Sequence, residues 1–389
     1  MLSFENLENA FAHKSDNDLR RASMLFSTIN YAWLVRILEP LTKMAMAIGL
    51  PVKPIVKATI FKQFVGGETI EECNATIDLL HNNKVGSILD YSVEGQEGED
   101  SFENTASEIM QTIDKARGNE KISFCVFKVT GIARFGLLEK YSAKEPLTDA
   151  EKEEWKRIAN RVHRICRHAA ENEVRIFIDA EESWIQQAID DLADACMALH
   201  NKKVAWVYNT IQLYRIDRVE FLKTSHKKAQ EGAYLLGVKL VRGAYMEKER
   251  ARAEERNYPS PIQASKSDSD TDYDKAVRYC IDHISNIALC AGTHNEASSM
   301  LLAILMDEKG IEHSNAHVWF SQLLGMSDHI SFNLACAGYN VCKYVPYGPV
   351  SAVMPYLFRR ARENTSIKGQ TSRELSLIKR ELQRRKKGK

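Results

Sequence analysis

Short apolar, β-branched runs alternate with longer amphipathic stretches along most of this chain. The apolar runs predict eight strands, at residues 85–93, 122–130, 174–180, 204–211, 235–241, 286–292, 316–323 and 340–347. Between the strands the apolar positions recur at helical spacing, and the clearest case predicts an amphipathic helix at 183–200. Eight such repeats in roughly 280 residues favour a (βα)8 barrel. A doubly wound sheet is the alternative, although no predicted strand is followed by GxGxxG or GxxxxGK[ST].

The segments that flank the repeats predict additional units. The most apolar one, 27–50, contains Pro40 and several charged residues, so we expect helices packed on the barrel rather than a membrane span. Residues 257–272 are rich in Pro, Ser and Asp, which predicts a long loop and a candidate lid. In chain order, we expect an N-terminal helical arm at 1–84, the barrel at 85–370, and a basic C-terminal helix and tail at 371–389.

Polar residues recur where the predicted strands end. They are Asp90, Lys128, Asp179 with Glu181, Gln212, Lys239 with Arg242, Thr293 with His294 and Asn295, Gln322, and Tyr344. In a (βα)8 barrel the C-terminal ends of all strands open on one face, which carries the active site. The sequence therefore predicts a functional site at this mouth.

Composition narrows the choice of partners. Lys and Arg total 53 against 52 for Asp and Glu, so the net charge gives no reason to expect nucleic acid. The eight cysteines include no CxxC pair, and the N-terminus lacks a basic-then-apolar export pattern, so we expect reduced thiols. No metal site is expected. We expect a cytoplasmic protein, and the basic tail leaves open a peripheral position on the inner face of the cytoplasmic membrane.

The stretch 354–364, MPYLFRRAREN, offers the sharpest candidate chemistry. As a helix it places Tyr356, Arg359, Arg360 and Glu363 on one face. Two adjacent guanidiniums match a carboxylate or phosphate bidentately, and the tyrosine can pack on a flat ligand. The alternative is a solvated helix face on which Glu363 pairs with Arg359.

An ordered set of motifs resembles the proline dehydrogenase family. The motifs are DAEES (179–183), KLVRGAYMEKER (239–250), GTHN (292–295), QLLGM (322–326), KYVPYGPV (343–350) and YLFRRAREN (356–364). The resemblance implies a distorted (βα)8 barrel that holds FAD without a Rossmann fold, and a last helix over the barrel mouth. It implies a monofunctional enzyme that oxidises L-proline to Δ1-pyrroline-5-carboxylate, the first step of proline catabolism. Hydride passes to the flavin N5, and the electrons then pass to a membrane quinone.

The resemblance also implies a role for each site residue. Arg359 and Arg360 would hold the substrate carboxylate, with Lys128 beside the substrate and Asp179 in a supporting network. Tyr245, Tyr344 and Tyr356 would wall the proline ring. The flavin-contacting positions would be Gln212, Lys239, Val241, Arg242, Thr293, His294 and Glu363.

Two other functions compete with this interpretation. A hydroxyproline dehydrogenase would share the fold and cofactor, but the phenol of Tyr344 would crowd a hydroxyl on the substrate ring. A non-catalytic flavin-binding protein is the second alternative, and reduction of the flavin by L-proline distinguishes it from an enzyme.

Overall fold

The computed structural model describes residues 2–29, 31, 37, 40–42, 44, 51–92, 97–366 and 370–387, without the side chains of 363–366 and 370–372. Eight parallel strands form a closed barrel in chain order, and β8 pairs with β1. The strands are β1 Gly86–Tyr91, β2 Ile122–Lys128, β3 Ile176–Asp179, β4 Val207–Gln212, β5 Leu236–Val241, β6 Ile287–Gly292, β7 Val318–Leu323 and β8 Val341–Tyr347. The eight predicted strands and the (βα)8 fold class are confirmed.

Helices surround the barrel, and further helices precede its first strand and follow its last strand in the chain. They are Leu7–Phe11, Asp16–Ile29, Lys53–Val56, Lys62–Phe64, Asn74–Asn82, Glu99–Ala116, Phe135–Ser142, Asp149–Glu171, Ser183–His200, Arg218–Glu231, Met246–Arg256, Lys266–Asp282, Glu296–Glu308, Asp328–Cys336, Val350–Ser366 and Gln370–Lys387. A π-helical turn, Lys57–Phe61, and a 3-10 turn, Val129–Gly131, complete the set. The predicted helices at 183–200 and 354–364 are confirmed. Most of segment 27–50 lies outside the described residues.

The predicted loop at 257–272 is wrong in its second half, because a helix begins at Lys266. The side chain of Ser265 accepts from the backbone N–H of Asp268, and the Asp268 carboxylate accepts from Ser265 N at 3.1 Å. This capping box satisfies backbone donors at the helix start. The Ser- and Asp-rich composition thus marks a helix N-terminus here, and the connecting loop is only 257–265.

The barrel interior is apolar at its base and polar at its mouth. Phe124 and Phe177 stack with ring centroids 4.3 Å apart, and Tyr208 meets Phe124 edge-on. Because side chains on one face of a strand recur every second residue, Asp179 lies above Phe177 and Thr210 above Tyr208. These aromatic rings therefore form the floor of the barrel mouth, and the polar side chains lie directly above them.

The N-terminal arm is joined to the end of β8. Gly66 N donates to Pro346 O at 2.8 Å, and Gly67 bridges Tyr347. The Glu68 carboxylate accepts from Val350 N at 3.3 Å. This interaction supplies an acceptor and a negative charge to the first residue of the helix Val350–Ser366.

The C-terminal helix Gln370–Lys387 packs against the N-terminal helices. Leu377 and Ile378 are buried in a core that also contains Phe11 and Phe26. The Arg385 guanidinium donates to the Asp16 carboxylate at 3.0 Å and to two backbone carbonyls. The apolar face of this helix is therefore buried against the rest of the protein. Within the ranges described above, no helix is long and apolar enough to cross a membrane.

Candidate active site

A cavity of about 1820 Å³ opens at the C-terminal ends of the strands. Its volume exceeds the ~300–1000 Å³ typical of sites for small ligands, so it has room for a large ligand and a small one together. Apart from Glu363, whose side chain lies outside the described residues, every predicted site residue lines it: Lys128, Asp179, Gln212, Lys239, Val241, Arg242, Tyr245, Thr293, His294, Tyr344, Tyr356, Arg359 and Arg360.

Asp179 is the centre of a buried polar cluster on the floor. It is in register with Lys128 on β2, whose ammonium lies 3.8 Å from its carboxylate. Lys239 of β5 contacts both Asp179 and the Tyr344 hydroxyl, and that hydroxyl donates to Asp179 at 3.1 Å. Four strands, β2, β3, β5 and β8, thus fix one carboxylate, two ammonium groups and a phenol beneath the cavity.

The charges of this cluster set its protonation. Burial alone would raise the pKa of Asp179, but the nearby Lys239 and Lys128 ammonium groups outweigh it and lower that pKa. Burial, together with the charge of Asp179, raises the pKa of Tyr344 well above its ordinary value. Asp179 is therefore ionised near neutral pH, and Tyr344 keeps the proton that it donates.

Arg242 is held at the rim by three different partners. Its guanidinium donates to Asp270 at 2.6 Å, to Thr293 Oγ1 at 2.7 Å and to Ser298 Oγ at 2.9 Å. It also lies 4.4 Å from the ring centroid of Tyr273. A guanidinium fixed in this way offers a preorganised positive charge to an anionic ligand group.

His294 is half-buried and neutral. Its Nδ1 lies 2.9 Å from Ser327 Oγ. Burial, followed by the positive charges of Lys343 and Arg360, lowers the pKa of His294 to about 3. An uncharged imidazole therefore faces the cavity at physiological pH.

Gln212, at the end of β4, has a buried side-chain oxygen with no partner in the described part of the chain. A buried acceptor without a donor costs about 1–3 kcal/mol. Because Gln212 lines the cavity, a ligand that donates a hydrogen bond there would remove this cost. The unsatisfied acceptor points to a bound ligand with an N–H or O–H group.

The predicted arginine pair lies on the helix Val350–Ser366, which contributes to the cavity wall. The Arg359 guanidinium is 5.8 Å from the ring centroid of Tyr245, and that of Arg360 is 5.3 Å from Tyr356. Contacts with aromatic faces help to orient guanidiniums. The helix therefore presents two oriented cations to the same cavity as the floor cluster.

Glu181, two residues beyond Asp179, is a second buried carboxyl in the wall. It accepts from Thr130 N at 3.0 Å and also contacts the Thr130 hydroxyl. Burial raises the pKa of Glu181 to about 7, although the Thr130 hydrogen bonds oppose the rise. One wall residue thus changes charge near neutral pH.

The sequence patterns missed several residues that support or line the cavity. Asp270 and Ser298 hold Arg242, and Ser327 contacts His294. Arg373 and Glu374 line the cavity from the C-terminal helix, which was expected to be separate from it. The capping pattern at Ser265 could have placed Asp270 on a helix, but the other contacts depend on tertiary packing. In the described ranges, no group of three or more His, Cys, Asp or Glu side chains could hold a metal ion.

Known proteins match this chain along most of its length. The family model described as proline dehydrogenase matches residues 73–373. The hydroxyproline dehydrogenase of Xenopus laevis is 30% identical, and the match covers 99% of this chain and 90% of that protein. The mitochondrial proline dehydrogenase 1 of Dictyostelium discoideum is 32% identical, with coverage of 87% and 67%. The carbapenem antibiotics biosynthesis protein CarD of Pectobacterium carotovorum is 33% identical, with 83% of both chains covered.

The fold also occurs in solved structures. Proline utilization A from Bdellovibrio bacteriovorus, inactivated by N-propargylglycine, superposes with a TM-score of 0.74 at 22% identity. The match covers 92% of this chain and 38% of the longer protein, so this chain corresponds to a minor part of that length. At this identity the likeness establishes the barrel fold alone.

Proposed function

Because this chain belongs to the proline dehydrogenase family of oxidoreductases, we propose that it oxidises L-proline to Δ1-pyrroline-5-carboxylate with bound FAD. The observation that carries the proposal is the pairing of two features across one cavity. Arg359 and Arg360 lie on the helix at its mouth, and the cluster around Asp179 forms its floor. A small amino acid with a carboxylate at one end and a ring at the other suits this arrangement.

The chain's residues fit FAD by their chemistry. The unpaired acceptor of Gln212 suits a ligand N–H, and the fixed guanidinium of Arg242 suits an anionic group such as a pyrophosphate. Lys239, Val241, Thr293 and His294 complete the set that we propose to contact the cofactor, together with Glu363. When bound, FAD supplies the acceptor for two electrons, a chemistry that no side chain provides.

Positioning is the main task of the remaining residues. Oxidation removes a hydride from the ring carbon next to nitrogen and a proton from the nitrogen, so the C–N single bond becomes a double bond. The arginines would fix the carboxylate, and Tyr245, Tyr344 and Tyr356 would limit the ring to one orientation. The buried floor disfavours a charged amine that lacks a partner, which favours the neutral amine that can release hydride.

Proline is proposed over hydroxyproline because of Tyr344. The Xenopus relative is a hydroxyproline dehydrogenase, so the family name alone leaves both substrates open. Tyr344 is buried, and its hydroxyl is engaged by Asp179 and Lys239, so the ring is held in place. A ring that cannot swing aside leaves less room for an extra hydroxyl on the substrate.

We propose a membrane quinone as the final electron acceptor, reached by peripheral contact. Lys386 and Lys387 are exposed at the end of the C-terminal helix and are suited to an anionic surface. Lys386→Glu with Lys387→Glu should reduce sedimentation with anionic vesicles at low salt, while activity with a soluble dye stays unchanged. Equal sedimentation of both proteins would refute this contact.

The visible spectrum of the purified protein tests the central proposal. A flavin absorption band that is bleached on anaerobic addition of L-proline is the expected result. A colourless protein would refute FAD binding, and a band that proline leaves unchanged would favour a non-catalytic flavin-binding protein. A faster bleach with trans-4-hydroxy-L-proline would transfer the proposal to hydroxyproline.

A further inference from the structure

The start of the helix Asp328–Cys336 has an unusual arrangement. Ser327, its N-cap residue, has φ 51° and ψ 41°, in the left-handed region, and its side chain makes no capping hydrogen bond. A serine at this position ordinarily caps its own helix. Here the hydroxyl lies 2.9 Å from His294 Nδ1 instead.

A residue from a distant helix holds this turn. Glu374, on the C-terminal helix, accepts from Ser327 N at 2.5 Å and is 3% exposed. Burying a carboxylate is costly unless it is hydrogen-bonded or paired, so its position is specific rather than incidental. Glu374 also lines the cavity.

The neighbouring residue fixes the same stretch of helix. The Arg373 guanidinium donates to both carboxylate oxygens of Glu296, at 2.9 and 3.2 Å, and also to Glu5. Glu296 in turn contacts buried His329 at 3.0 Å. Glu374 therefore reaches Ser327 from a stretch of helix that Arg373 anchors to Glu296 and Glu5.

We propose that Glu374 is a positioning residue of the cofactor site, which acts through Ser327 to orient the imidazole of His294. The inference rests on the proposed FAD binding. Glu374 holds the backbone of the left-handed turn, the turn aims the Ser327 hydroxyl, and the hydroxyl fixes one ring nitrogen of His294. Nε2 is then the ring nitrogen left for a ligand.

The consequence is that the C-terminal helix belongs to the cofactor site. Because a neutral imidazole has one donor and one acceptor nitrogen, the partner of Nδ1 decides which role Nε2 plays. Loss of either Glu374 or the Ser327 hydroxyl should leave His294 in mixed orientations. Both changes should weaken FAD binding and leave the carboxylate clamp for the substrate in place.

The test measures FAD affinity of the flavin-free full chain by quenching of flavin fluorescence. Glu374→Ala and Ser327→Ala should each weaken binding about tenfold, the loss expected for one hydrogen bond of this kind. Glu374→Gln, which keeps an acceptor oxygen, should recover most of the affinity. The double variant should lose little more than either single one, because the two residues act in series. Proline KM at saturating FAD should stay unchanged.

Arg380→Ala is the matched control, since Arg380 binds Glu5 from the exposed side of the same helix. It should keep wild-type FAD affinity. NMR of the imidazole nitrogens of His294 in the flavin-free variants should show a changed tautomer in Glu374→Ala and Ser327→Ala but not in Arg380→Ala. Wild-type affinity in both variants, additive losses in the double variant, or an equal loss in the control would overturn the inference. A wild-type protein that binds no FAD would instead refute the proposed function, on which this inference rests. If Glu374→Ala does not fold, Ser327→Ala and Glu374→Gln decide.

Discussion

Substitution of Tyr344 separates two roles that its side chain combines. Tyr344→Ser removes both the aromatic ring and its phenol hydroxyl, whereas Tyr344→Phe removes only the hydroxyl. The ring is nearly parallel to that of Phe177, at 6.4 Å between centroids, and the hydroxyl binds Asp179 and Lys239. If the ring walls the substrate, only the serine variant opens space for a hydroxylated substrate.

The structure sets the size of the effects. Tyr344 is 8% exposed, so truncation of its ring should cost about 3–5 kcal/mol of unfolding free energy. Loss of its contact with the substrate should cost about 1–3 kcal/mol in transition-state binding, on the order of tenfold or more in kcat/KM for L-proline. The phenylalanine variant loses hydrogen bonds worth about 1–2 kcal/mol but keeps the steric wall.

The assay is the ratio of kcat/KM for trans-4-hydroxy-L-proline to that for L-proline. This ratio should rise by about tenfold or more in Tyr344→Ser, since the crowding is relieved while proline loses its contact. It should stay near the wild-type value in Tyr344→Phe. An unchanged ratio in the serine variant, or an equal rise in both, would refute Tyr344 as the steric determinant and remove the main argument for proline.

Three further perturbations follow from the site. Arg359→Lys and Arg360→Lys should each raise the proline KM roughly 30-fold or more, because loss of a charged hydrogen-bond pair costs about 2–3 kcal/mol; an unchanged KM in both would remove the carboxylate clamp. For Glu181 the folded pKa, about 7, lies above its ordinary value of 4.5, so its stabilising contribution is complete below pH 4.5 and is lost as the pH rises through about 7. The difference corresponds to about 3 kcal/mol, and urea unfolding at several pH values should show that Glu181→Gln flattens this dependence. Glu68→Ala should lower Tm and raise the proline KM, since it removes the cap on the arginine-bearing helix; wild-type values for both would contradict that role.

Periodicity was sufficient to predict the barrel because each strand is buried over most of its length. The run at 207–212 is buried at every position, and the helix Ser183–His200 was predicted with its exact bounds. The mouth residues followed from the same logic, since strand ends converge in a closed barrel. Lys128 and Asp179 were both expected at the barrel mouth on these grounds, and they are in register on adjacent strands.

The misses have a common physical origin. The start of the helix Lys266–Asp282 lacks apolar periodicity, so its capping box was the only local sign of a helix. The C-terminal helix has an amphipathic pattern, but the pattern does not say what its apolar face covers. Glu374 looks like any solvated glutamate in the sequence, and only its tertiary contact with Ser327 distinguishes it. Interactions across such separations leave no local signature.

The C-terminal helix is tied to the segment just before the first helix, because Arg373 and Arg380 bind Glu5. The contact between Arg373 and Glu5 joins residues 368 positions apart in the sequence. Because a nascent chain emerges from its N-terminus, the strands can associate while the last helix is still inside the ribosome. Until that helix emerges, Glu5 lacks Arg373 and Arg380, and Ser327 lacks Glu374. Between the emergence of β8 and that of the last helix, the apolar surface that this helix covers is open to non-native contacts.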